Sequence, residues 1–160
     1  MTATASVARE GLGAHPFLRG MRGDHIELLA DAATLVTMPA RYRLFDEGGP
    51  ARAFWLIRSG NVAVDMHVPG HGRVIVETVG RGDVLGWSWL FPPHEWAFGA
   101  VTIQPVEAFE LDGPVVRAWC TEYPLLGHDL TCRFSKVLAR RLEATRRRLA
   151  GQCAHPQLMD

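Results

Sequence analysis

The sequence predicts one mainly β domain, a sandwich or jelly roll with flanking helices, finished by a single long helix. Three observations carry this. Short apolar β-runs between residues 35 and 111 are separated by glycine-rich turns at intervals of about ten residues, the spacing of sandwiches and jelly rolls. After Asp112-Gly113-Pro114 the apolar period becomes helical. A chain of 160 residues with 48% apolar and 21% charged content suits one hydrophobic core.

In chain order, residues 1–14 are small and polar with two glycines, and predict a flexible N-terminal tail. The folded domain is expected over 15–150, opening at His15-Pro16-Phe17-Leu18, with a second tail over 151–160. Ile26, Leu29 and Ala30 share helical spacing in a short helix over 24–33. Asp24 serves there as N-cap, and Glu27 completes a capping-box pattern. Phe54-Trp55-Leu56-Ile57 reads as a buried strand. Val62, Val64, Met66 and Val68 alternate with Ala63, Asp65 and His67, as in a half-buried strand. Val74-Ile75-Val76, Val101-Thr102-Ile103 and the run 106–111 supply three more.

Two helices follow, over 114–149. Val115, Val116, Trp119 and Cys120 make a short amphipathic helix that ends before Pro124. The long helix over 125–149 carries an apolar stripe of Leu130, Phe134, Val137, Leu138, Leu142 and Leu149, with Thr145 inside it. Such a helix is too long for one small roll to cover. Part of the stripe is expected on the roll and part on a second copy, as a homodimer.

Composition excludes several classes. The formal net charge is zero, so no global electrostatic argument favours nucleic acid. Cys120, Cys132 and Cys153 are odd in number and contain no CxxC pair, against a disulfide framework, a zinc knuckle or an iron–sulfur cluster. Cys120 and Cys132 read as small core residues. With no signal-peptide core and no membrane-length apolar run, the chain reads as cytoplasmic, without membrane association. His67, His71 and Glu77 are the nearest approach to a cupin-like metal set. The two histidines flank a Pro-Gly turn and do not converge as a His-x-His pair does. No metal ligand and no resident cofactor are assigned.

The most informative stretch is Gly82-Asp83-Val84-Leu85-Gly86-Trp87-Ser88-Trp89-Leu90-Phe91, continuing through Pro92-Pro93-His94-Glu95-Trp96 to Phe98-Gly99-Ala100. It reads as a strand exit, about one turn of apolar helix, a Pro-Pro break and a new strand near Ala100. Three of the five tryptophans lie here, either as a core plug or as a pocket lining. His94-Glu95 at the tip reads as a surface turn.

Gly-Asp-x-Leu-Gly, one variable residue, two positions that are small in the family, then Leu-Phe resembles the phosphate-binding cassette of cyclic-nucleotide-binding domains, as found in the catabolite activator (Crp/Fnr-like) superfamily. Phe45-Asp46-Glu47-Gly48, residues 54–62 and Leu138-Ala139-Arg140-Arg141-Leu142 resemble further blocks of that family, in order. The resemblance implies a double-stranded β-helix jelly roll followed by a long helix that pairs two subunits and closes over a ligand. It also implies a cassette-equivalent pocket of Gly86, Trp87, Ser88, Trp89, Trp96, Phe98, Gly99, Ala100 and Thr145.

The departures are chemical. In the family a Glu after the second cassette glycine takes the ribose hydroxyl, an Arg before the small pair takes the phosphate, and a small residue lies near the phosphate. Here those positions are Trp87, Phe98 and Trp89. Losing two charge-assisted contacts costs roughly two to four decades of affinity. The expectation is weak or absent binding of cyclic AMP and cyclic GMP, with the pocket filled by its own aromatics. An apolar ligand, a nucleotide held in a non-standard way, or haem on His94 are the alternatives. A DNA-reading domain has no place in the dozen or so residues after the long helix. That helix does carry Arg133, Lys136, Arg140, Arg141, Arg146, Arg147 and Arg148 against a single Glu143. The chain therefore reads as a non-enzymatic regulatory module with an unidentified protein partner and a possible small-molecule ligand.

Overall fold

The computed structural model describes residues 2–153. Among these residues, eight strands form two four-stranded antiparallel sheets, and four α-helices flank them. One sheet has the order β1 (Ala33–Met38), β8 (Val106–Asp112), β3 (Ala53–Ser59), β6 (Val84–Leu85). The other has the order β2 (Arg43–Phe45), β7 (Gly99–Thr102), β4 (Val62–Val68), β5 (Gly72–Val79). Apart from the β4–β5 hairpin, sequence neighbours fall in different sheets, so the chain winds back and forth between them, and the result is the expected jelly roll.

The inner strands behave as interior strands must. Phe54, Leu56 and Ile57 of β3 are fully buried, and Trp55 is nearly so with its indole N–H donating to the Glu110 carboxylate at 2.8 Å. β4 departs from simple alternation: Ala63 and Asp65 are buried along with Val62 and Val64. The cause is position, since β4 has β7 on one side and β5 on the other. Asp65 tolerates burial because Arg43 of β2 grips both its oxygens, at 3.0 and 2.7 Å. Gly60, in the turn between β3 and β4, has φ +85°, and a side chain there would strike the Pro105 carbonyl.

The ends of the chain differ from expectation. Residues Thr2–Ala14 form a helix, α1, rather than a flexible tail. Alanine-rich sequence favours the helix, and Gly11 lets it lie directly against the Phe109 ring while Leu12 is fully buried. α2 spans Gly23–Asp31, with Arg22 at the N-cap position and no side-chain cap. The capping box is therefore not formed; Asp24 lies inside the first turn and binds the Arg22 guanidinium and the His25 amide.

α3 (Gly113–Glu122) starts where Asp112 caps the Val115 amide at 3.0 Å. Pro124 then opens α4, Pro124–Cys153. Its apolar stripe is divided. Leu130 and Phe134 are fully buried in the chain's own core, Phe134 edge-on to Phe54 and Phe17, so they are unavailable to a partner. Leu142 and Leu149 are more than half exposed. Cys132 is exposed rather than a core residue, with its Sγ 3.6 Å from His128 Nε2; Cys120 is half-buried. The expected tail over 151–160 begins as helix up to Cys153, and the remainder lies outside the described residues. No helix among the described residues is long and apolar enough to cross a membrane.

His15 ties the N-terminal segment to the roll. Its Nε2 donates to the Ile57 carbonyl at 2.9 Å and its Nδ1 accepts from the Phe17 amide at 3.2 Å. The Nδ1 bond needs the neutral ring, because a protonated Nδ1 cannot accept. Burial lowers its pKa from the usual 6.5, against the opposing pull of the Ile57 carbonyl and Asp83. The unfolded chain therefore takes up the proton first as pH falls. The stability due to neutral His15 is complete above pH 6.5 and is lost as pH falls through the lower folded-state value. His15→Gln should flatten the decline of unfolding free energy below pH 6.5, read by urea titrations at several pH values; an unchanged slope would contradict this.

Candidate functional site

The cassette loop leaves β6 at Gly86, whose φ of +89° would strain any side chain. The Trp96 ring lies against this glycine, close enough that a Cβ would press on it. No helix follows. Residues 88–90 form a hydrogen-bonded turn, Leu90 N–H to Trp87 O at 3.2 Å, in place of the expected apolar helical turn. The loop consequently lacks the helix N-terminus that makes a ready phosphate site. Its return limb is held by Trp96 exchanging two 2.8 Å backbone bonds with Gly48 and Gly49, and by Ser88 accepting from the Ala97 amide at 3.3 Å.

The aromatics expected as pocket lining separate into three roles. Trp89 is fully buried, stacked on Phe54 at 4.5 Å and edge-on to Phe134 at 5.5 Å. It plugs the core and lines no pocket, because the turn points its side chain inward beneath α4. Trp96 stacks on Phe45 at 3.7 Å with Trp55 6.0 Å away, so its ring is committed to a second stack. Trp87 and Phe98 meet edge to face at 6.2 Å and remain partly accessible. Between Gly86, Ser88, Trp96, Phe98 and Phe45 there remains a crevice of only about 20 Å³. The end of the site where the cassette meets Gly99-Ala100 is filled.

The rest of the site is not. A cavity of about 780 Å³ lies between the roll and α4, so the expectation of a wholly self-filled pocket is corrected. Trp87, Phe98 and Thr145, expected as site residues, line it. So do Val137, Leu138 and Leu142 of the helix stripe. A bulge in β5 shapes the opposite wall: Val64 pairs with Glu77 and Asp65 with Ile75, leaving Val76 as the extra residue. Val76 and Glu77 consequently both reach the cavity, although they are consecutive.

Sequence reasoning missed the charged groups here. Arg141 of α4 crosses to the roll, its Nε 2.9 Å from the Glu77 carboxylate and its Nη2 donating to the Val84 carbonyl at 2.7 Å. Arg148 donates to the Val76 carbonyl at 2.8 Å. Burial pushes the Glu77 carboxyl above the usual range, with Asp83 adding to the rise and Arg141 and Arg148 opposing it. The basic stripe of α4 was legible, but the inward turn of these members was not; helical spacing from Leu138 was the available signal. Thr145 spends its hydroxyl proton on the Arg141 carbonyl at 2.9 Å. His94 does not line the cavity. His67 lies near the β4–β5 turn, and among the described residues no three His, Cys, Asp or Glu side chains form a metal-binding group.

A jelly roll carrying a glycine-bounded cassette loop and a long covering helix defines a class of small-molecule-sensing regulatory domains. The family model described as "Cyclic nucleotide-binding domain" matches residues 35–123, and the chain belongs to this family. Among solved structures, a cyclic nucleotide-binding domain from Methylobacillus flagellatus KT aligns with TM-score 0.80 and 19% identity, over 93% of this chain and 86% of that one. A protein of Geobacter metallireducens GS-15 described as cyclic nucleotide-binding aligns with TM-score 0.77 and 21% identity, over 84% and 97%. The catabolite activator protein of Thermus thermophilus aligns with TM-score 0.66 and 23% identity, over 86% of this chain but 63% of its own. These likenesses concern the fold. No curated protein matches the chain.

Trp89 should behave as core. Trp89→Ala should lower stability by about 3–5 kcal/mol, the usual range for an emptied Trp site. Trp89→Phe should cost less than half of that, because it also removes an indole N–H that is buried without a partner. Thermal and urea unfolding would check this; equal losses in the two variants would contradict it.

Proposed function

We propose that this protein is a non-enzymatic regulatory module whose cassette does not hold cyclic AMP or cyclic GMP tightly, and whose cavity under α4 receives a different, largely apolar small molecule. Family membership supports the regulatory class. The observation that carries the rest is the contrast between the 20 Å³ crevice at the cassette and the 780 Å³ cavity beside it. A cavity of this size falls in the range of about 300–1,000 Å³ typical of small-molecule sites. Trp87 and Phe98 stand where a ribose carboxylate and a phosphate cation would be needed, and the turn at 88–90 offers no helix terminus to compensate.

The output is proposed to pass through α4 to a protein partner in the cytoplasm. Leu138, Leu142, Thr145 and Leu149 follow one another at coiled-coil spacing, and Leu142 and Leu149 are exposed. They form the proposed homodimer seam, in place of the core-committed Leu130 and Phe134. Direct sequence-specific DNA binding is not part of this reading.

Titration with cyclic AMP and cyclic GMP, followed by tryptophan fluorescence and melting temperature, tests the ligand reading. No change up to millimolar nucleotide is expected, whereas saturation in both signals at micromolar nucleotide would overturn it. The double variant Trp87→Glu with Phe98→Arg should gain at least about tenfold in cyclic AMP affinity, since each charge-assisted contact is worth about 1.5–3 kcal/mol; no gain would place the phosphate site elsewhere. For the seam, sedimentation at micromolar concentration should show a dimer that Leu142→Glu with Leu149→Glu converts to monomer. A monomeric parent protein would contradict it.

A further inference from the structure

We infer that the cavity under α4 selects an amphipathic anion, an apolar body bearing one carboxylate-like head, and that this head takes Arg141 in exchange for Glu77. The inference rests on the reading of this cavity as a ligand site and names the chemistry it prefers.

The cavity walls divide by type. The body is provided for by Val64, Val76, Trp87, Val137, Leu138 and Leu142, contributed by the roll, the cassette loop and α4. The charged residues at its wall are Glu77, Asp83, Arg140, Arg141 and Arg148, three cations to two carboxylates. Asp83 is turned away in part, its Oδ2 accepting from the Gly80 amide at 2.9 Å. The balance at the cavity is therefore cationic.

Arg141 is the group placed to use that balance. Its side chain is one-fifth exposed, and it is held between Glu77 and the Val84 carbonyl. A guanidinium has five N–H donors in a planar fork that matches a carboxylate two bonds at a time. Among the described residues only Nε and Nη2 of Arg141 have partners, so the Nη1 edge stays open to a second acceptor. Glu77, its present partner, is destabilised as a carboxylate by its own burial. A ligand carboxylate reaching Arg141 would let Glu77 relax toward water or take a proton, and the ion pair at the guanidinium would be replaced rather than lost. An uncharged apolar ligand would gain the walls but leave this exchange unused.

Decanoate and decanol, equal in length and differing in head, provide the test, read by Trp87-dependent fluorescence quenching and by melting temperature. Decanoate should bind at least about tenfold more tightly than decanol, the least expected for one charge-assisted contact. Glu77→Gln should tighten decanoate about tenfold by removing the competing charge, and leave decanol unmoved. Arg141→Met should bring decanoate down to the affinity of decanol. Unfolding curves for both variants confirm the fold, and Glu77→Gln keeps the test decisive if Arg141→Met is unstable. Equal binding of the two probes, or a decanoate affinity that neither variant changes, would overturn the inference while leaving an apolar ligand site standing. Failure of both probes to bind at millimolar concentration would overturn the inference together with the ligand reading beneath it.

Discussion

The stack of Trp96 on Phe45, with rings 3.7 Å apart, fixes the return limb of the cassette loop against the roll. Phe45 comes from β2 and Trp96 from the return limb of the cassette loop. Face-to-face contact at this distance commits the two rings to each other, and Trp55 backs the pair from β3. Gly86 is the local condition for it. A side chain there would be both strained and in contact with the indole. In a polar site those two properties would admit a phosphate to the backbone; here they admit a ring.

Beside the narrow crevice at the cassette lies the cavity of about 780 Å³, and α4 forms one wall of it. The helix is fixed to the roll at its first half by core packing of Leu126, Leu130 and Phe134. Beyond Val137 it is held by charge instead, through Arg141 to Glu77 and Val84, and Arg148 to Val76. Apolar packing of the first half contributes rigidity. The second half rests on a few polar contacts over a void, which is the part of a structure expected to respond to a ligand. The same half carries exposed Leu149 and half-exposed Leu142, the latter also at the cavity wall, so occupancy of the cavity and pairing of the proposed seam would share one segment.

Much of the fold was legible from residues alone. Glycine turns, strand periods and the proline at 124 mark the elements, and the two sheets follow from them. What was not legible depends on two segments meeting. Alternation in β4 predicts Asp65 on an outer face, but Arg43, twenty-two residues earlier, makes its burial acceptable. Residues 1–14 look like a tail until Gly11 is placed on Phe109. In the site, the glycine-punctuated pattern marks the strand exit and the loop after it, and Trp87 and Phe98, expected at the pocket, line the cavity. The direction of Trp89 could not be read, since a core plug and a pocket wall have the same composition. Nor could the inward reach of Arg141, because Glu77 pairs with it across sixty-four residues and a β-bulge.

The most direct test of the account is whether the ring stack that shuts the cassette persists in solution in the presence of nucleotide. Nuclear Overhauser contacts between the Phe45 ring and the Trp96 indole, with the Gly86 amide shift beside them, report on it. The account predicts strong contacts in the free protein, unchanged with a Gly86 amide that does not move at millimolar cyclic AMP. Loss of those contacts together with a saturable shift at Gly86 would show the cassette opening to a phosphate, and would contradict it.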